Sequence, residues 1–176
     1  YTNYLKRKAF SFYLEGIWMV ELELEKTYLP RRLPEQLDES KSEIISDAFI
    51  PANSAHPVVR LRRRGDSYEI TKKEPIDNTD PSRQEEHTIA LSKEEFEALL
   101  GVPTKRFVKR RYYCTIDGHK AEVDTYLEDL KGLVVIDFEF GSDEDMQAFN
   151  PSDICLADVT EDRTFAGGTL AGKTYE

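Results

Sequence analysis

The chain has 176 residues, with 34 Asp and Glu against 24 Lys and Arg, which gives a formal net charge of −10. This length suits a single domain, and 39% hydrophobic residues provide enough apolar material for a core, which excludes a disordered chain. No uncharged run approaches the roughly 20 residues that cross a bilayer. The acidic balance disfavours general nucleic-acid binding, and two cysteines without a CxxC spacing indicate neither a disulfide framework nor a zinc site. We therefore expect a cytoplasmic protein without a membrane or nucleic-acid partner.

Residues 1–18 differ in pattern from the rest of the chain, and Met19 stands directly before a strongly patterned strand. Met19 is therefore a candidate for the natural start. We expect residues 1–18 to be an N-terminal extension or a foreign segment, and residues 19–176 to form one functional domain.

After residue 18 the chain has the pattern of a succession of strands. Glu23 and Glu25 alternate with Leu22 and Leu24, which is the period of two of a β-strand, and Pro30 ends this first strand. Further strands are predicted over residues 43–50, 58–63, 67–73, 84–91, 106–116, 119–126 and 133–140.

Turns and short helices connect these strands. Arg64-Gly65-Asp66 and Asp117-Gly118 predict hairpin turns. Ser92, with Glu95 three residues later, forms a capping box that predicts a short helix. Ser142, followed by three acidic residues, predicts a second helix, while the tail from residue 153 is less regular. Eight strands joined in this way predict an α+β fold, with an antiparallel sheet or barrel and a few helices.

The strand over residues 133–140 indicates where the charges lie. It is apolar along one whole side, and Asp137 and Glu139 are the exceptions on the other side. Two carboxylates in a well-buried strand repel each other unless cations offset them, so we expect a barrel with a charged interior and an apolar exterior covered by helices. By alternation along each strand, the candidates for the charged face are also Glu23, Glu25, Arg60, Arg62, Lys73, Glu86, Lys109, Arg111, Glu122 and Asp124.

Such an interior predicts phosphate chemistry. Carboxylate oxygens are the ligands that Mg²⁺ and Mn²⁺ prefer, and these ions also bridge to phosphates. Arg and Lys bind phosphate oxygens directly. Cleavage of a phosphoanhydride bond depends on charge neutralisation and an oriented water, so neither a Ser/His nor a Cys/His pair is required.

Several short charged motifs follow one another between residues 19 and 173. In chain order they are Glu23-Leu24-Glu25-Lys26-Thr27, Val59-Arg60-Leu61-Arg62, Thr71-Lys72-Lys73, Ser82-Arg83-Gln84-Glu85-Glu86, Lys109-Arg110-Arg111-Tyr112, Glu122-Val123-Asp124, Asp137-Phe138-Glu139-Phe140 and Asp158-Val159-Thr160-Glu161-Asp162. No single motif is specific, but their order resembles the CYTH domain superfamily, also called the triphosphate tunnel metalloenzymes. The resemblance implies an eight-stranded antiparallel tunnel that binds triphosphates with Mg²⁺ or Mn²⁺.

The resemblance also implies a role for each charged side chain. The expected catalytic residues are Glu23, Glu25 and Lys26. The expected phosphate-binding residues are Arg60, Arg62, Lys73, Lys109 and Arg111. The expected metal ligands are Glu23, Glu25, Glu86, Glu122, Asp124, Asp137 and Glu139. One departure is that Thr27 stands where the family has the Lys of its ExExK motif, while Lys26 has the opposite parity and faces the tunnel only if a bulge re-aims it.

The leading hypothesis is a metal-dependent hydrolase of a small-molecule triphosphate, either inorganic tripolyphosphate or a nucleoside or thiamine triphosphate, in a monomer or homodimer. An alternative enzyme is a class IV adenylate cyclase, in which a ribose hydroxyl replaces water. A different class of function is a non-catalytic module that binds polyphosphate or triphosphate, and the Thr27 departure favours that alternative.

Overall fold

The computed structural model describes residues 19–35, 37–76, 82–102 and 104–175, with side chains from Glu23 onward. The expected extension over residues 1–18 lies outside these described residues. The described strands are β1 (Met19–Pro30), β2 (Ser42–Ile50), β3 (Val59–Arg64), β4 (Ser67–Pro75), β5 (Arg83–Leu91), β6 (Lys105–Ile116), β7 (His119–Tyr126), β8 (Val134–Glu139) and β9 (Cys155–Asp158). The α-helices are α1 (Lys93–Leu99), α2 (Asp143–Ala148) and α3 (Gly167–Leu170), and 3₁₀ turns cover Glu39–Lys41, Glu128–Leu130 and Arg163–Phe165.

Strands β1 to β8 form a closed antiparallel barrel. Their order is β5-β4-β3-β2-β6-β7-β8-β1, and β1 also pairs with β5, which closes the ring. Closure depends on the length of β1, because its residues 19–24 pair with β5 and its residues 25–28 pair with β8. The predicted eight-stranded antiparallel barrel is therefore confirmed.

The predicted turns and caps are present. Asp117 and Gly118 have φ values of 48° and 86°, the left-handed conformation that a tight hairpin between β6 and β7 requires. The Ser92 hydroxyl accepts the main-chain N–H of Glu95 over 3.2 Å, and the Glu95 carboxylate accepts the N–H of Ser92 over 2.7 Å, so α1 begins with the predicted capping box. The Ser142 hydroxyl starts α2 in a similar way. No helix among the described residues is long and apolar enough to cross a membrane.

The fold differs from the prediction in the C-terminal tail. Strand β9 is absent from the sequence prediction, because four residues with mostly exposed side chains carry little hydrophobic pattern. It forms through tertiary pairing with residues 28–30 at the end of β1. Strand β4 also continues two residues past its predicted end, to Pro75, while residues 77–81 of the predicted loop that follows lie outside the described part of the chain.

Most of the apolar core lies outside the barrel, and one apolar cluster closes an end of its interior. The largest cluster lies on the outer faces of β1, β6, β7 and β8 under α2, and includes Phe138, Ile136 and Phe149. A second cluster lies at the end of the barrel covered by α3, where Phe107 packs edge-on against Tyr126 with ring centroids 5.1 Å apart. A third cluster lies beneath α1. This arrangement leaves most of the inner faces of the strands for polar groups, apart from the end where residues of the second cluster line the interior.

Candidate active site

The barrel encloses a cavity of about 1160 Å³, and each of the eight barrel strands contributes side chains to its lining. Among the described lining residues, thirteen are Asp or Glu and eight are Lys or Arg. The interior is therefore charged, as the sequence predicts, and it carries more negative than positive groups.

The five predicted phosphate-binding side chains all line this cavity. Arg60 and Arg62 come from β3, Lys73 from β4, and Lys109 and Arg111 from β6. Strands β3 and β4 are neighbours, and only β2 separates β3 from β6. The cations are thus concentrated on one side of the barrel, whereas the carboxylates of β1, β7 and β8 lie on the other.

Arg60 has a buried donor without a hydrogen-bond partner. Its Nη2 donates to Glu86 Oε2 over 3.1 Å, but its buried Nε donates to no group in the described part of the chain. Burial and the neighbouring Arg62 charge lower the pKa of the Arg60 guanidinium. Because buried N–H donors are nearly always paired in folded proteins, this Nε indicates a place for an acceptor such as a phosphate oxygen.

Asp47 and Arg62 form a deeply buried ion pair between β2 and β3. Arg62 Nε and Nη2 donate to the two oxygens of Asp47 over 2.6 Å each, and the side chains are 4% and 1% exposed for Arg62 and Asp47. Burial raises the pKa of Asp47, but the charge and hydrogen bonds of Arg62 outweigh it and hold the pKa well below its usual range. Arg62 is therefore fixed in orientation by its partner.

Asp124 is shared by two cations of β6. Arg111 donates from Nε and Nη2 to the two Asp124 oxygens over 2.7 and 2.6 Å, and Lys109 Nζ donates to Asp124 Oδ2. Arg111 also contacts Glu122. Burial raises the pKa of Asp124, but Arg111 and Lys109 outweigh it and lower the pKa overall, while burial and the Arg111 charge lower the pKa of Lys109.

Lys73 bridges the two carboxylates of the first charged motif. Its Nζ lies 2.6 Å from Glu23 Oε2 and 2.8 Å from Glu25 Oε1, and Gln84 Nε2 donates to the same Glu25 oxygen over 2.9 Å. Burial lowers the pKa of Lys73, but the charges of Glu25 and Glu23 outweigh it and raise the pKa overall. Lys73 therefore stays protonated.

Asp137 carries a carboxyl group whose pKa is strongly shifted. Thr27 Oγ1 donates to Asp137 Oδ1 over 2.8 Å, and Arg111 Nη2 lies 3.7 Å from Asp137 Oδ2. Burial, followed by the charges of Glu25 and Asp124, raises the pKa of Asp137 to about 7 despite Arg111. Burial and the neighbouring carboxylates together thus outweigh the effect of the nearby cations on the pKa of Asp137.

All seven predicted metal-ligating carboxylates line the cavity. Six of them are paired with predicted phosphate-binding cations: Glu23 and Glu25 with Lys73, Glu86 with Arg60, and Glu122, Asp124 and Asp137 with Arg111. The two predicted sets of residues therefore form one network of ion pairs inside the barrel.

The carboxylates fit a divalent cation by their chemistry, not as a preformed cage. Among the described residues, no three Asp, Glu, His or Cys side chains are grouped as a metal site. However, Glu25 lies directly opposite Glu139 on the neighbouring strand, and Asp137 lies directly opposite Glu122. Like charges in opposite positions destabilise a sheet, and a cation between them removes that cost. These hard oxygen donors fit Mg²⁺ or Mn²⁺.

The structure places Lys26 away from the predicted catalytic site. Its ammonium lies 5.8 Å from the centroid of the Phe149 ring, in the apolar cluster on the outer face of the barrel. Alternation along β1 is the reason, because Glu25 and Thr27 point inward and Lys26 between them points outward. This correction removes Lys26 from the candidate catalytic residues.

Nine charged residues that line the cavity are absent from the predicted set of site residues, and Asp47 and Arg64 are two of them. Asp47 is the buried partner of Arg62, and Arg64 lines the cavity with a buried Nε that makes no hydrogen bond to any described group. Arg64 has the same parity as Arg60 and Arg62, so the signal for an inward side chain was present in the sequence. Asp47 has the inward parity of its strand, yet only the pairing of β2 with β3 identifies its partner.

No protein-family model matches the chain. The inorganic triphosphatase of Nitrosomonas europaea is 28% identical over 151 residues, which are 85% of this chain and 96% of that protein.

Solved structures share the architecture. A crystal structure of an inorganic triphosphatase has a TM-score of 0.61 at 25% sequence identity, covering 85% of this chain and 93% of that chain. A putative adenylate cyclase from Bacillus halodurans has a TM-score of 0.54 at 17% identity, covering 73% of this chain and 85% of that chain, and shows the fold alone. The chain has the triphosphate tunnel fold of the CYTH type, as predicted.

Proposed function

We propose that this chain is a divalent-metal-dependent triphosphatase that hydrolyses inorganic tripolyphosphate inside its barrel. The observation that carries the proposal is the convergence of basic side chains from β3, β4 and β6 with carboxylates from β1, β7 and β8 in one cavity. Phosphoryl transfer depends mainly on positioning and on neutralising the phosphate charge, which such a lining can supply. The similarity to a protein named inorganic triphosphatase supports the same substrate.

The phosphate oxygens are held by Arg60, Arg62, Lys73, Lys109 and Arg111. Arg60 has a buried Nε ready to donate. Lys73, Lys109 and Arg111 exchange a carboxylate partner for a phosphate oxygen. This exchange leaves no buried cation unpaired, and charge-assisted hydrogen bonds of one kind replace those of another.

Seven carboxylates of the lining are suited to hold Mg²⁺ or Mn²⁺, and they are Glu23, Glu25, Glu86, Glu122, Asp124, Asp137 and Glu139. Some of them are released by that exchange. Glu25 and Glu139 also face one another across β1 and β8. When bound, the cation supplies positive charge to the phosphate oxygens and orients water. Because the lining holds more acidic than basic side chains, we expect a polyanion to bind poorly without added divalent cations.

The proposed reaction is in-line hydrolysis. A water oxygen bonds to the terminal phosphorus and gives up a proton, the bridging P–O bond breaks, and orthophosphate leaves together with pyrophosphate, whose oxygen accepts that proton. The Arg and Lys side chains hold the equatorial oxygens, where negative charge is spread in the transition state. Lys26 has no part in this proposal, because its ammonium lies on the outer face of the barrel.

A phosphate-release assay tests the proposal. Tripolyphosphate, ATP and thiamine triphosphate are each incubated with the protein in Mg²⁺, in Mn²⁺ and in EDTA. We expect tripolyphosphate to be cleaved fastest and EDTA to abolish turnover. Glu25→Gln and Asp137→Asn are expected to lose turnover, whereas Glu97→Gln on the exposed face of α1 serves as the matched acidic control.

Two further measurements, product identification with ATP and equilibrium binding of tripolyphosphate, separate the alternatives. Formation of cyclic AMP and pyrophosphate from ATP would identify a cyclase. Tight binding of tripolyphosphate with Mg²⁺ but without phosphate release would identify a binding module. Either result overturns the proposed triphosphatase.

The proposal also includes a cytoplasmic location, a monomeric or homodimeric state, and the lack of nucleic-acid and membrane partners. Size-exclusion chromatography with light scattering tests whether the protein is a monomer or a homodimer. Cell fractionation tests the location.

A further inference from the structure

Thr27 lies on β1, in the part of that strand that pairs with β8. It lines the cavity, and it lies directly opposite Asp137 in the strand register. Its Oγ1 donates to Asp137 Oδ1 over 2.8 Å, and the two residues are 110 positions apart in the sequence. A threonine hydroxyl has one proton to donate, so this proton is committed to the carboxylate.

The main chain of Thr27 holds a second segment. Its N–H donates to Thr160 Oγ1 over 3.0 Å, and its carbonyl accepts the N–H of Val159 over 2.9 Å. Thr160 Oγ1 in turn donates to Asp158 Oδ1 over 2.6 Å. The turn after β9 is thereby fixed against β1, and the residues that follow it, from 161 to 163, line the cavity.

The Asp137 carboxylate is oriented from two directions. Thr27 binds its Oδ1, while the Arg111 guanidinium lies 3.7 Å from Oδ2. The Thr27 contact is neutral, so it orients the group without cancelling its negative charge. A lysine at the same place, as in the family's ExExK motif, would place a second cation beside Asp137.

We propose that Thr27 is a positioning residue, whose hydroxyl fixes the Asp137 carboxylate for a divalent cation and whose main chain fixes the segment over residues 158–163 beside it. The inference rests on the proposed triphosphatase function and deepens it. It assigns to Thr27 an orienting role and no contact with substrate. It also gives this position a role in a chain that has Thr27 in place of the lysine of the ExExK motif.

The test compares three variants with the wild type. Thr27→Val removes the hydroxyl at nearly constant volume, Thr27→Ser keeps it, and Thr115→Val makes the same exchange at an exposed position of β6. For each protein, kcat and KM for tripolyphosphate are measured with Mg²⁺, Mn²⁺ affinity is measured without substrate by electron paramagnetic resonance, and the thermal midpoint checks folding.

Loss of an orienting partner of a metal ligand typically costs about 10- to 100-fold in metal affinity or activity. We therefore expect Thr27→Val to lower kcat and Mn²⁺ affinity within that range with little change in KM, and Thr27→Ser to recover both. Thr115→Val should match the wild type. If Thr27→Val does not fold, Thr27→Ala takes its place.

The inference is overturned if a folded Thr27→Val keeps the wild-type kcat and Mn²⁺ affinity, or if Thr27→Ser is impaired as strongly as Thr27→Val. Failure of the proposed function gives a different result. In that case the wild-type protein itself releases no phosphate from tripolyphosphate, whereas the Mn²⁺ titrations still report on Thr27.

Discussion

The inner and outer faces of β1 and β8 come from the same short stretches of chain but have opposite chemistry. Glu25 and Asp137 point into the cavity, while Leu24 and Phe138 point into the apolar cluster under α2. Phe138 is fully buried, and its ring centroid lies 4.8 Å from that of Phe149. The difference teaches that residue parity along a strand separates what stabilises this fold from what performs its chemistry.

The energetics of the two faces differ accordingly. Burial of a large apolar side chain contributes about 1.5–3 kcal/mol to folding. A buried ion pair gains little net stability over well-packed apolar residues, because desolvation offsets much of the attraction. We therefore expect the outer face to supply most of the folding free energy and the inner face to supply the binding groups.

The largest effect is expected from a truncation on the outer face. Phe138→Ala should lower the free energy of unfolding by about 3–5 kcal/mol, because it removes a fully buried aromatic ring and leaves a cavity. Urea denaturation followed by circular dichroism measures this loss. The folded fraction should retain the wild-type KM for tripolyphosphate. A loss below about 1 kcal/mol would contradict the assigned role of the outer cluster.

An effect of comparable size is expected for the buried ion pair between Asp47 and Arg62 on the inner face. Asp47→Leu or Arg62→Met alone should cost about 3–5 kcal/mol, because each leaves one buried charge without its partner. The double variant should recover most of that stability in urea denaturation, since both charges are then absent. It should still fail to turn over tripolyphosphate, because Arg62 is lost. A double variant less stable than both single variants would show that the pair is needed for folding.

A smaller effect is expected on acidification. Arg62 outweighs the effect of burial and holds the pKa of Asp47 below its value of about 3.9 in an unfolded chain. The stabilisation from Asp47 is thus present above that pH and is lost as the pH falls through the lower, folded-state pKa. Urea midpoints should fall less steeply between about pH 5 and pH 3 for Asp47→Asn than for the wild type. Equal slopes would remove Asp47 from the acid response.

The smallest effect is expected for the lysine on the outer face. Lys26→Met removes a cation near the Phe149 ring, an interaction worth about 0.5–2 kcal/mol. We expect kcat and KM for tripolyphosphate to stay within the error of the wild type. A large loss of kcat would return Lys26 to the site and contradict the alternation of β1.

Much of the architecture could be predicted, because alternation and turn residues are local signals. The hairpin at Asp117-Gly118 and the capping box at Ser92 are examples, since each depends on neighbours within a few positions. Strand β9 could not be predicted in this way. It forms by pairing with the end of β1, more than 120 positions earlier in the chain.

The site shows the same division. Parity was sufficient to direct Arg60, Lys73 and Arg111 to the interior, and the order of the motifs suggested their shared role. It gave no information on pairing across strands, so the attachment of Asp47 to Arg62 and of Thr27 to Asp137 could not be predicted. Those contacts depend on a register that only the closed barrel defines.

The dual pairing of β1 has a consequence for biosynthesis. Its partner on one edge, β5, leaves the ribosome long before its partner on the other edge, β8. The hairpins from β2 to β4 and from β6 to β7 have nearby partners, but the seam between β1 and β8 must wait until β8 is synthesised, since its Asp137 lies 110 positions after its partner Thr27. Since contacts between distant positions slow folding, we expect seam closure to be a late step and the nascent chain to expose an unpaired edge until then.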